Sequence, residues 1–423
     1  MTVIAPPEAP SPTPVEEPLD ADAQEALIKE ARRRARRRRV GYAASALAVG
    51  AIALAVFGFS HRGGGGAGRV GRSGESAAAS APAPISRLPA PPANGVLTIE
   101  DRKTLDVTNP DTLFGVNPDG SGLRPLARCQ ASAGFCGFGA YTWAPDGKRL
   151  AFLSGHFGGA ITRSNLFVFV VNSDGTGRRR LARCGTCFSE SVSWSPDSRR
   201  IVFATPNLDI VNVVTGAQRR LGDSGVNPVW SPTGTTIAFG VGGGLYSIKP
   251  DGSGMAHIAS VAGEVGSPTW SPDGTRIAFD TPDDLYVVDA DGSHLRLLLA
   301  GSPAGGPGHP SWSPRGNSIL FESTPGSAGD YTAEVWVMKP DGSGRRRLYR
   351  SGQHFGPSSS DGGLSSPPIW SPDGKAIAIG MSAYTANGIT RKGILVMDAQ
   401  GNHRRRVFGN PEAIAWQPIP RAP

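Results

Sequence analysis

The sequence predicts an all-β fold, a seven-bladed β-propeller, from three observations. Glycine (57) and proline (37) are abundant among the 423 residues, which is typical of a turn-rich β protein. The stretch Trp270–Phe279 recurs along the chain as a tryptophan, a Ser-Pro-Asp-Gly turn and an alternating apolar strand, the pattern of a β-hairpin. Its period of roughly 40 to 50 residues, with four predicted strands per unit, indicates propeller blades.

Seven tryptophans mark the predicted inner strands. Each except the last is followed by a turn and an apolar strand, and then by a second hairpin with an Asp-Gly turn, as in Leu285–Gly292. Because aromatic side chains dominate packed interiors, we expect each tryptophan to pack between neighbouring blades. The seven are Trp143, Trp194, Trp230, Trp270, Trp312, Trp370 and Trp416.

The two ends of the repeat region predict how the ring closes. The first unit, 96–129, lacks a tryptophan strand, and the last unit, 413–416, consists of a tryptophan strand alone. Joined, they make one hybrid blade and remove two open sheet edges. With six whole units this gives seven blades; six blades is the alternative.

The composition predicts three segments before the propeller of 95–423. Residues 1–39 read as a disordered tail followed by a basic helix, and residues 60–94 as a Gly/Ala/Pro-rich linker. Residues 40–59 are twenty uncharged, mostly apolar residues, which at 1.5 Å rise match the ~30 Å hydrocarbon core of a bilayer. We therefore expect one transmembrane helix.

The arginine block before that helix predicts its orientation. By the positive-inside rule the N-terminus is cytoplasmic and the propeller lies outside the cell membrane, on the periplasmic or cell-wall side. Contact of the arginines with anionic lipid headgroups is expected. A cleaved signal peptide is the alternative, but its apolar region is usually shorter, and the nearest small-residue pattern, 79–81, lies far downstream.

The positive charge does not indicate a nucleic-acid partner. The formal net charge is +8, but residues 1–60 carry +1 and residues 61–94 carry +3. About +4 remains for the whole repeat region, too little for the basic surface that DNA or RNA binding needs.

The repeats resemble those of TolB-like propellers, with PD40-type repeats, which also occur beside the hydrolase domain of prolyl-oligopeptidase-type peptidases. The resemblance covers 95–416 and implies the fold, but says little about function. Four turn positions depart from the pattern, Ala144, Ser198, Thr233 and Arg315. A tether stands where TolB has a globular domain, so the resemblance does not imply TolB's partners.

The predicted strand order places the Ser-Pro-Asp-Gly and Asp-Gly turns on one face of the ring, the turn face. The variable loops share the opposite face, the loop face, where a rigid scaffold supports irregular segments and binding is expected. Three histidines and carboxylates there could surround a metal, as in some seven-bladed polysaccharide-lyase relatives, but no close ligand spacing occurs, and no metal or other cofactor is assigned. The binding candidates are His156, His309, His354, Glu190, Asp280, Asp330 and Tyr384.

Four cysteines follow predicted outer strands. Outside the membrane an even count favours disulfides, most simply Cys129 with Cys136 and Cys184 with Cys187, although cross-pairing between adjacent blades stays open. A four-thiolate zinc site or a redox Cys-x-x-Cys is the alternative interpretation.

Three arginine triplets enter predicted outer strands. They could bind acidic glycans or phospholipid headgroups, or their charges could prevent association of exposed strand edges. The triplets are 178–180, 345–347 and 404–406.

The sequence contains no catalytic motif that we recognise. A Gly-x-Ser-x-Gly nucleophile elbow is missing, and no catalytic residue is assigned. The leading hypothesis is a membrane-tethered, extracytoplasmic propeller that binds a protein or an envelope polymer and is not an enzyme. The alternative is a carbohydrate-active lyase or hydrolase that uses the loop face; a sensor relaying to the cytoplasm is a third hypothesis.

Overall fold

The computed structural model describes residues 93–101, 111–129, 135–157, 166–185, 192–205, 207–301, 306–323, 332–351, 364–384, 390–408 and 414–419. All of them belong to one compact unit, Ser80–Pro423. The other unit, Met1–Ala79, lies outside the described residues, as do the predicted transmembrane helix over 40–59 and nearly all of the linker. Within the described ranges no helix is long and apolar enough to cross a membrane.

The described residues form seven four-stranded antiparallel sheets, the blades of a propeller. Blade 1 contains β28 (Ala415–Ile419), β1 (Ala93–Asp101), β2 (Thr112–Val116) and β3 (Arg124–Arg128). Blade 2 contains β4 (Phe135–Trp143), β5 (Arg149–Phe157), β6 (Leu166–Asn172) and β7 (Arg179–Gly185). Blade 3 contains β8 (Val192–Trp194), β9 (Arg200–Ala204), β10 (Leu208–Asn212) and β11 (Gln218–Gly222).

The other four blades continue the same order from inner to outer strand. Blade 4 contains β12 (Val226–Trp230), β13 (Ile237–Val241), β14 (Gly244–Ile248) and β15 (Ala256–Ser260). Blade 5 contains β16 (Thr269–Trp270), β17 (Arg276–Asp280), β18 (Asp284–Asp289) and β19 (Arg296–Ala300). Blade 6 contains β20 (Pro307–Trp312), β21 (Ile319–Ser323), β22 (Glu334–Met338) and β23 (Arg346–Arg350). Blade 7 contains β24 (Leu364–Trp370), β25 (Ala376–Tyr384), β26 (Thr390–Asp398) and β27 (Arg405–Phe408).

Blade 1 is the predicted hybrid of the two ends of the repeat region. Strand β28 pairs antiparallel with β1, with Trp416 opposite Leu97. The side chain of Gln417 accepts a hydrogen bond from Val96 N (3.2 Å) and donates one to the carbonyl oxygen of Gly147 in blade 2 (2.7 Å). The prediction of seven blades with a hybrid closing blade is therefore confirmed.

The inner-strand tryptophans pack where blades meet, as predicted. The indole of Trp143 donates to Thr98 Oγ1 of blade 1 at 2.8 Å, and that of Trp194 to the carbonyl oxygen of Thr142 in blade 2 at 3.1 Å. Six of the seven are at most 8% exposed, and Trp370 is half-buried. Each ring thus seals the contact between its own blade and a neighbour.

The second strands are buried on both faces, because each blade is covered by a neighbour on either side. In β17, Ile277, Ala278 and Phe279 are all inaccessible to solvent. An apolar residue at every position, with a small alanine opposite two large side chains, matches this two-sided burial. The repeated Ile-Ala-Phe pattern is therefore a packing signature.

The Ser-Pro-Asp-Gly turn is built by its own side chains. Ser271 Oγ donates to Asp273 Oδ1 at 2.5 Å and accepts from Arg276 N at 2.9 Å, while Asp273 Oδ1 accepts from Thr275 N at 3.0 Å. Glycine follows because the chain then takes φ +70° at Gly274. Ser198 adopts φ 57° at the equivalent position, so that departure alters the residue without altering the turn.

The turn carboxylates predict an acid limit of stability. Burial alone would raise the pKa of Asp273, but hydrogen bonds from Ser271 and Thr275 and the charge of Arg276 outweigh it and hold that pKa below 3.8. A carboxyl with a depressed folded-state pKa stabilises the fold above its unfolded pKa, and this contribution is lost as pH falls through the folded value.

We expect the Asp273→Asn substitution to destabilise the propeller at neutral pH, and the difference from the wild type to shrink as pH falls through the lowered folded-state pKa of Asp273. Urea unfolding at a series of pH values measures it. Thr233→Asn is the control, because blade 4 lacks this carboxylate and its variant should show no such pH dependence. If the unfolding free energies of Asp273→Asn and the wild type differ by the same amount at every pH, the stabilising role of the Asp273 carboxylate is contradicted.

The arginine triplets enter the outer strands as predicted and connect neighbouring blades. Arg178 donates to the carbonyl oxygen of Arg128 in blade 1, Arg179 to that of Val214 in blade 3, and Arg404 to that of Leu348 in blade 6. The guanidinium of Arg178 also lies 4.6 Å from the ring centroid of Phe169. These contacts give the described triplets a structural role between blades.

Candidate functional site

Two hairpins, the raised hairpins, extend further at the loop face than the described strands of blades 3 and 5. Strands β25 and β26 of blade 7 and strands β4 and β5 of blade 2 each contain nine residues. Strand β5 and strand β25 start at the turn face, as β9 and β17 do, but those two contain only five residues. The four extra residues therefore extend at the loop face, by about 13 Å at the usual rise per residue.

The raised hairpins carry two of the predicted binding residues. Tyr384 ends β25 opposite Thr390, and His156 lies in β5 opposite Cys136. Blade 1 lies between blades 7 and 2 in the ring, so the hairpins stand on either side of it. In contrast, blades 3, 4 and 5 join their second and third strands with two or three residues.

Asp280 and His309, both predicted binding residues, come together between blades 5 and 6. Asp280 is 7% exposed. Its Oδ1 accepts from Ser267 N, and its Oδ2 accepts from His309 N at 2.8 Å. Both carboxylate oxygens of Asp280 thus hold backbone of two blades, and the residue acts as a clamp between them.

The imidazole of His309 faces a carboxylate that sequence reasoning missed. His309 Nδ1 lies 2.7 Å from Glu322 Oε1 of β21, and about half of the histidine side chain is exposed. The backbone of His309 has φ 51°, in a bulge of β20 between Gly308 and Ser311. The bulge turns the ring towards β21; Asn227 in blade 4, with φ 49°, shows that this geometry recurs.

A second carboxylate on the loop face was also not anticipated. Glu334 begins β22 and is 5% exposed at its side chain. It accepts from Arg347 at 2.7 Å and from the indole of Trp336 at 2.9 Å, and Arg350 Nε lies 3.4 Å away. The only sequence signal was an acidic residue opening a strand two positions before an aromatic one, which is too common to identify a buried cluster.

The remaining candidates lie partly or wholly outside the described residues. Glu190, Asp330 and His354 are not described, and only the backbone of His156 and Tyr384 is. Within the described part of the chain, no three His, Cys, Asp or Glu side chains are grouped so that they could hold a metal ion.

The described cysteines are buried at the starts of the connections to the next blade. Cys129 Sγ lies 3.3 Å from Ser154 Oγ, and Cys184 Sγ lies 3.7 Å from the carbonyl oxygen of Ala204. Neither is a free cysteine. The side chains of Cys136 and Cys187 are not described, so the connectivity stays a prediction.

The fold and the loop face define the chain as a seven-bladed β-propeller that holds polar side chains at strand ends. No protein-family model matches the chain, and the curated proteins contain no match. Among solved structures, the chain is similar to an oligogalacturonate lyase from Vibrio parahaemolyticus, with a TM-score of 0.50 and 15% identity over 76% of this chain and 87% of that chain.

Two further solved structures are similar to the chain. TolB from Acinetobacter baumannii gives a TM-score of 0.45 and 14% identity over 76% of this chain and 82% of that chain. An oligogalacturonate lyase in complex with manganese gives a TM-score of 0.45 and 13% identity over 71% of this chain and 85% of that chain. At these identities the likeness concerns the fold alone.

Proposed function

We propose that the chain is a membrane-tethered binding module whose propeller presents its loop face to a protein or envelope-polymer partner outside the cell membrane. The observation that carries the proposal is the pair of raised hairpins in blades 7 and 2. Among the described residues, they extend one side of the ring beyond the strands of blades 3 and 5 and offer a raised surface to a partner. Their strands are part of rigid blades, which favours binding without a large ordering cost.

Two of the carboxylates described on the other side of the loop face stabilise the fold. Asp280 and Glu334 are buried and engaged by backbone or side-chain donors, so Asp280 connects blades 5 and 6 and Glu334 stabilises blade 6. His309 and Glu322 remain partly exposed and could add a polar contact at the margin of the partner's footprint.

Tethering rests on the composition of the first 94 residues. An arginine block followed by twenty uncharged residues supports a single span with a cytoplasmic N-terminus. The linker of 60–94 would then hold the propeller on the periplasmic or cell-wall side, where a partner in the envelope is within reach.

Site-specific photo-crosslinking in intact cells tests the proposal. A photoreactive residue in place of Tyr384 or His156 is expected to capture the same partner from either hairpin. Asp283, on the low side of the loop face, and Asp251, on the turn face, are the matched control positions and should capture little of it.

Equal capture from all four positions, or none from the two hairpins, would contradict the binding proposal. Turnover of oligogalacturonate by the full-length chain, followed by absorbance of the unsaturated product, would instead support the carbohydrate-active alternative.

A further inference from the structure

Two departures from the repeat lie together in blade 6, on the face opposite the raised hairpins. Arg315 occupies the turn position that holds Asp273 in blade 5. Ser318 occupies the position that holds Arg276 in blade 5, the first residue after the turn. Both changes alter what the neighbouring blade 7 meets on the turn face.

The indole of Trp370 has no covering arginine and is the most exposed of the seven inner-strand indoles. Arg276 lies 4.9 Å from the ring centroid of Trp312 in the next blade, and Arg149 and Arg200 cover Trp194 and Trp230 in the same way, at 5.5 and 4.9 Å. The short Ser318 cannot reach the next indole, Trp370. Trp370 is half-buried, whereas the other six inner-strand tryptophans are at most 8% exposed, including Trp270 and Trp416, which also lack this arginine.

In the turn of blade 6, the cation Arg315 stands in place of the usual aspartate. In blade 5 the turn serine donates to Asp273, but in blade 6 Ser313 Oγ donates to Asn317 Oδ1 at 2.9 Å. Asn317 thus takes over the acceptor role. The guanidinium of Arg315 has no hydrogen bond or ion pair to any described residue and is available to a ligand.

The result is a pocket of about 580 Å³ between blades 6 and 7, within the usual size range of small-molecule sites. Trp370 contributes an indole, and four cations line the walls, Arg315, Lys339, Arg346 and Lys375. Arg346 is held in place by the carbonyl oxygens of Gln400 and Ala399. No carboxylate lines the pocket, and none of the four cations forms a salt bridge within the described residues.

The nearest carboxylates, Asp341 and Asp373, lie in turns outside the pocket lining, and their charges interact with Lys339 and Lys375. Asp341 accepts from Ser343 N at 2.9 Å, and Asp373 accepts from Lys375 N at 3.0 Å and from Ser371 Oγ at 2.7 Å. Both are directed into their own turns. The pocket lining therefore carries a net positive charge, to which Arg315 and Arg346 contribute, beside the indole of Trp370.

We propose that this pocket binds an anionic sugar, a pyranose that carries a carboxylate or a phosphate. The indole of Trp370 would cover the apolar C–H face of the ring, and the guanidinium groups would bind the anion by charge-assisted hydrogen bonds. The site lies on the turn face and is independent of the partner proposed for the loop face.

Isothermal titration calorimetry of the full-length chain tests the proposal. Glucuronate and glucose 6-phosphate are the two anionic probes, and their relative affinities show which anion the site prefers. Glucose has the ring without the charge, and inorganic phosphate the charge without the ring; each is expected to bind at least about tenfold more weakly than the better anionic sugar.

The decisive variant restores in blade 6 the arginine that blade 5 has at the equivalent position. Ser318→Arg should place a guanidinium over Trp370, as Arg276 does over Trp312, and reduce the affinity for the anionic sugar at least about tenfold. Arg315→Asp should do the same by removing a cation and adding an anion. Thr236→Arg is the matched control, because it adds the same arginine in blade 4, beside Trp270 of blade 5, and should leave affinity unchanged.

Urea unfolding of each variant confirms that it is folded. The proposal is overturned if neither anionic sugar binds at concentrations up to about 10 mM. It is also overturned if the affinity is unchanged in both Ser318→Arg and Arg315→Asp, or if Thr236→Arg reduces it equally. None of these outcomes affects crosslinking from the loop face, so the two proposals fail separately.

Discussion

Truncation after residue 413 is expected to abolish cooperative folding of the propeller. It removes β28, the inner strand of blade 1, and with it Trp416 and Gln417. Loss of the Trp416 side chain alone costs about 3–5 kcal/mol by the usual cost of emptying a large core site. The truncation also unpairs β1, whose buried backbone groups then lack partners, and leaves an open edge prone to association.

Urea unfolding followed by circular dichroism measures this effect, with truncation after Ile419 as the control because it retains all of β28. Trp416→Ala should lower the free energy of unfolding by about 3–5 kcal/mol. Gln417→Ala should lower it by about 1–3 kcal/mol, because two buried backbone groups then lack their hydrogen-bond partner. If the chain that lacks β28 unfolds cooperatively at the same urea concentration as the wild type, blade 1 does not close the ring.

Asp280→Ala is expected to lower the free energy of unfolding by about 2–5 kcal/mol, because it leaves two backbone N–H groups without their acceptors. These donors are Ser267 N and His309 N, in blades 5 and 6. The loss therefore weakens the contact between two blades as well as the local loop.

Two comparisons make the Asp280 measurement specific. Asp280→Asn keeps one acceptor oxygen and should cost less than the alanine variant. Glu322→Gln removes the charge beside His309, but both groups are partly exposed, so a change below about 1 kcal/mol is expected. Equal effects of Asp280→Ala and Glu322→Gln would refute the assignment of Asp280 as the clamp between blades.

The repeat pattern was sufficient to predict the architecture. Each unit specifies its own hairpins through turn residues and short apolar strands, and the incomplete units at 96–129 and 413–416 showed how the ring closes. These are local signals, and a propeller repeats them. That is why the blade count, the position of the tryptophans and the arginine-rich outer strands were predicted correctly.

The side-chain clusters between blades could not be predicted in the same way. Whether Asp280 is an exposed ligand or a buried clamp depends on the backbone of blade 6, about 29 residues further along the chain. The bulge that turns His309 towards Glu322 has no distinct sequence signature. The pocket at Trp370 had a visible signal in Arg315, but its meaning required knowing which blade covers which indole.

The closure of blade 1 also determines when this protein can finish folding. Trp416 donates to the carbonyl oxygen of Gly95, a contact between residues 321 positions apart. A ribosome delivers about 5–20 residues per second, so the first strand of the ring has no partner until the other six blades have been translated. During that interval the nascent chain carries an unpaired β1 edge, and contacts of such long sequence separation form slowly. Strand β28, which is translated after the strands of the other blades, therefore completes the blade that β1 began.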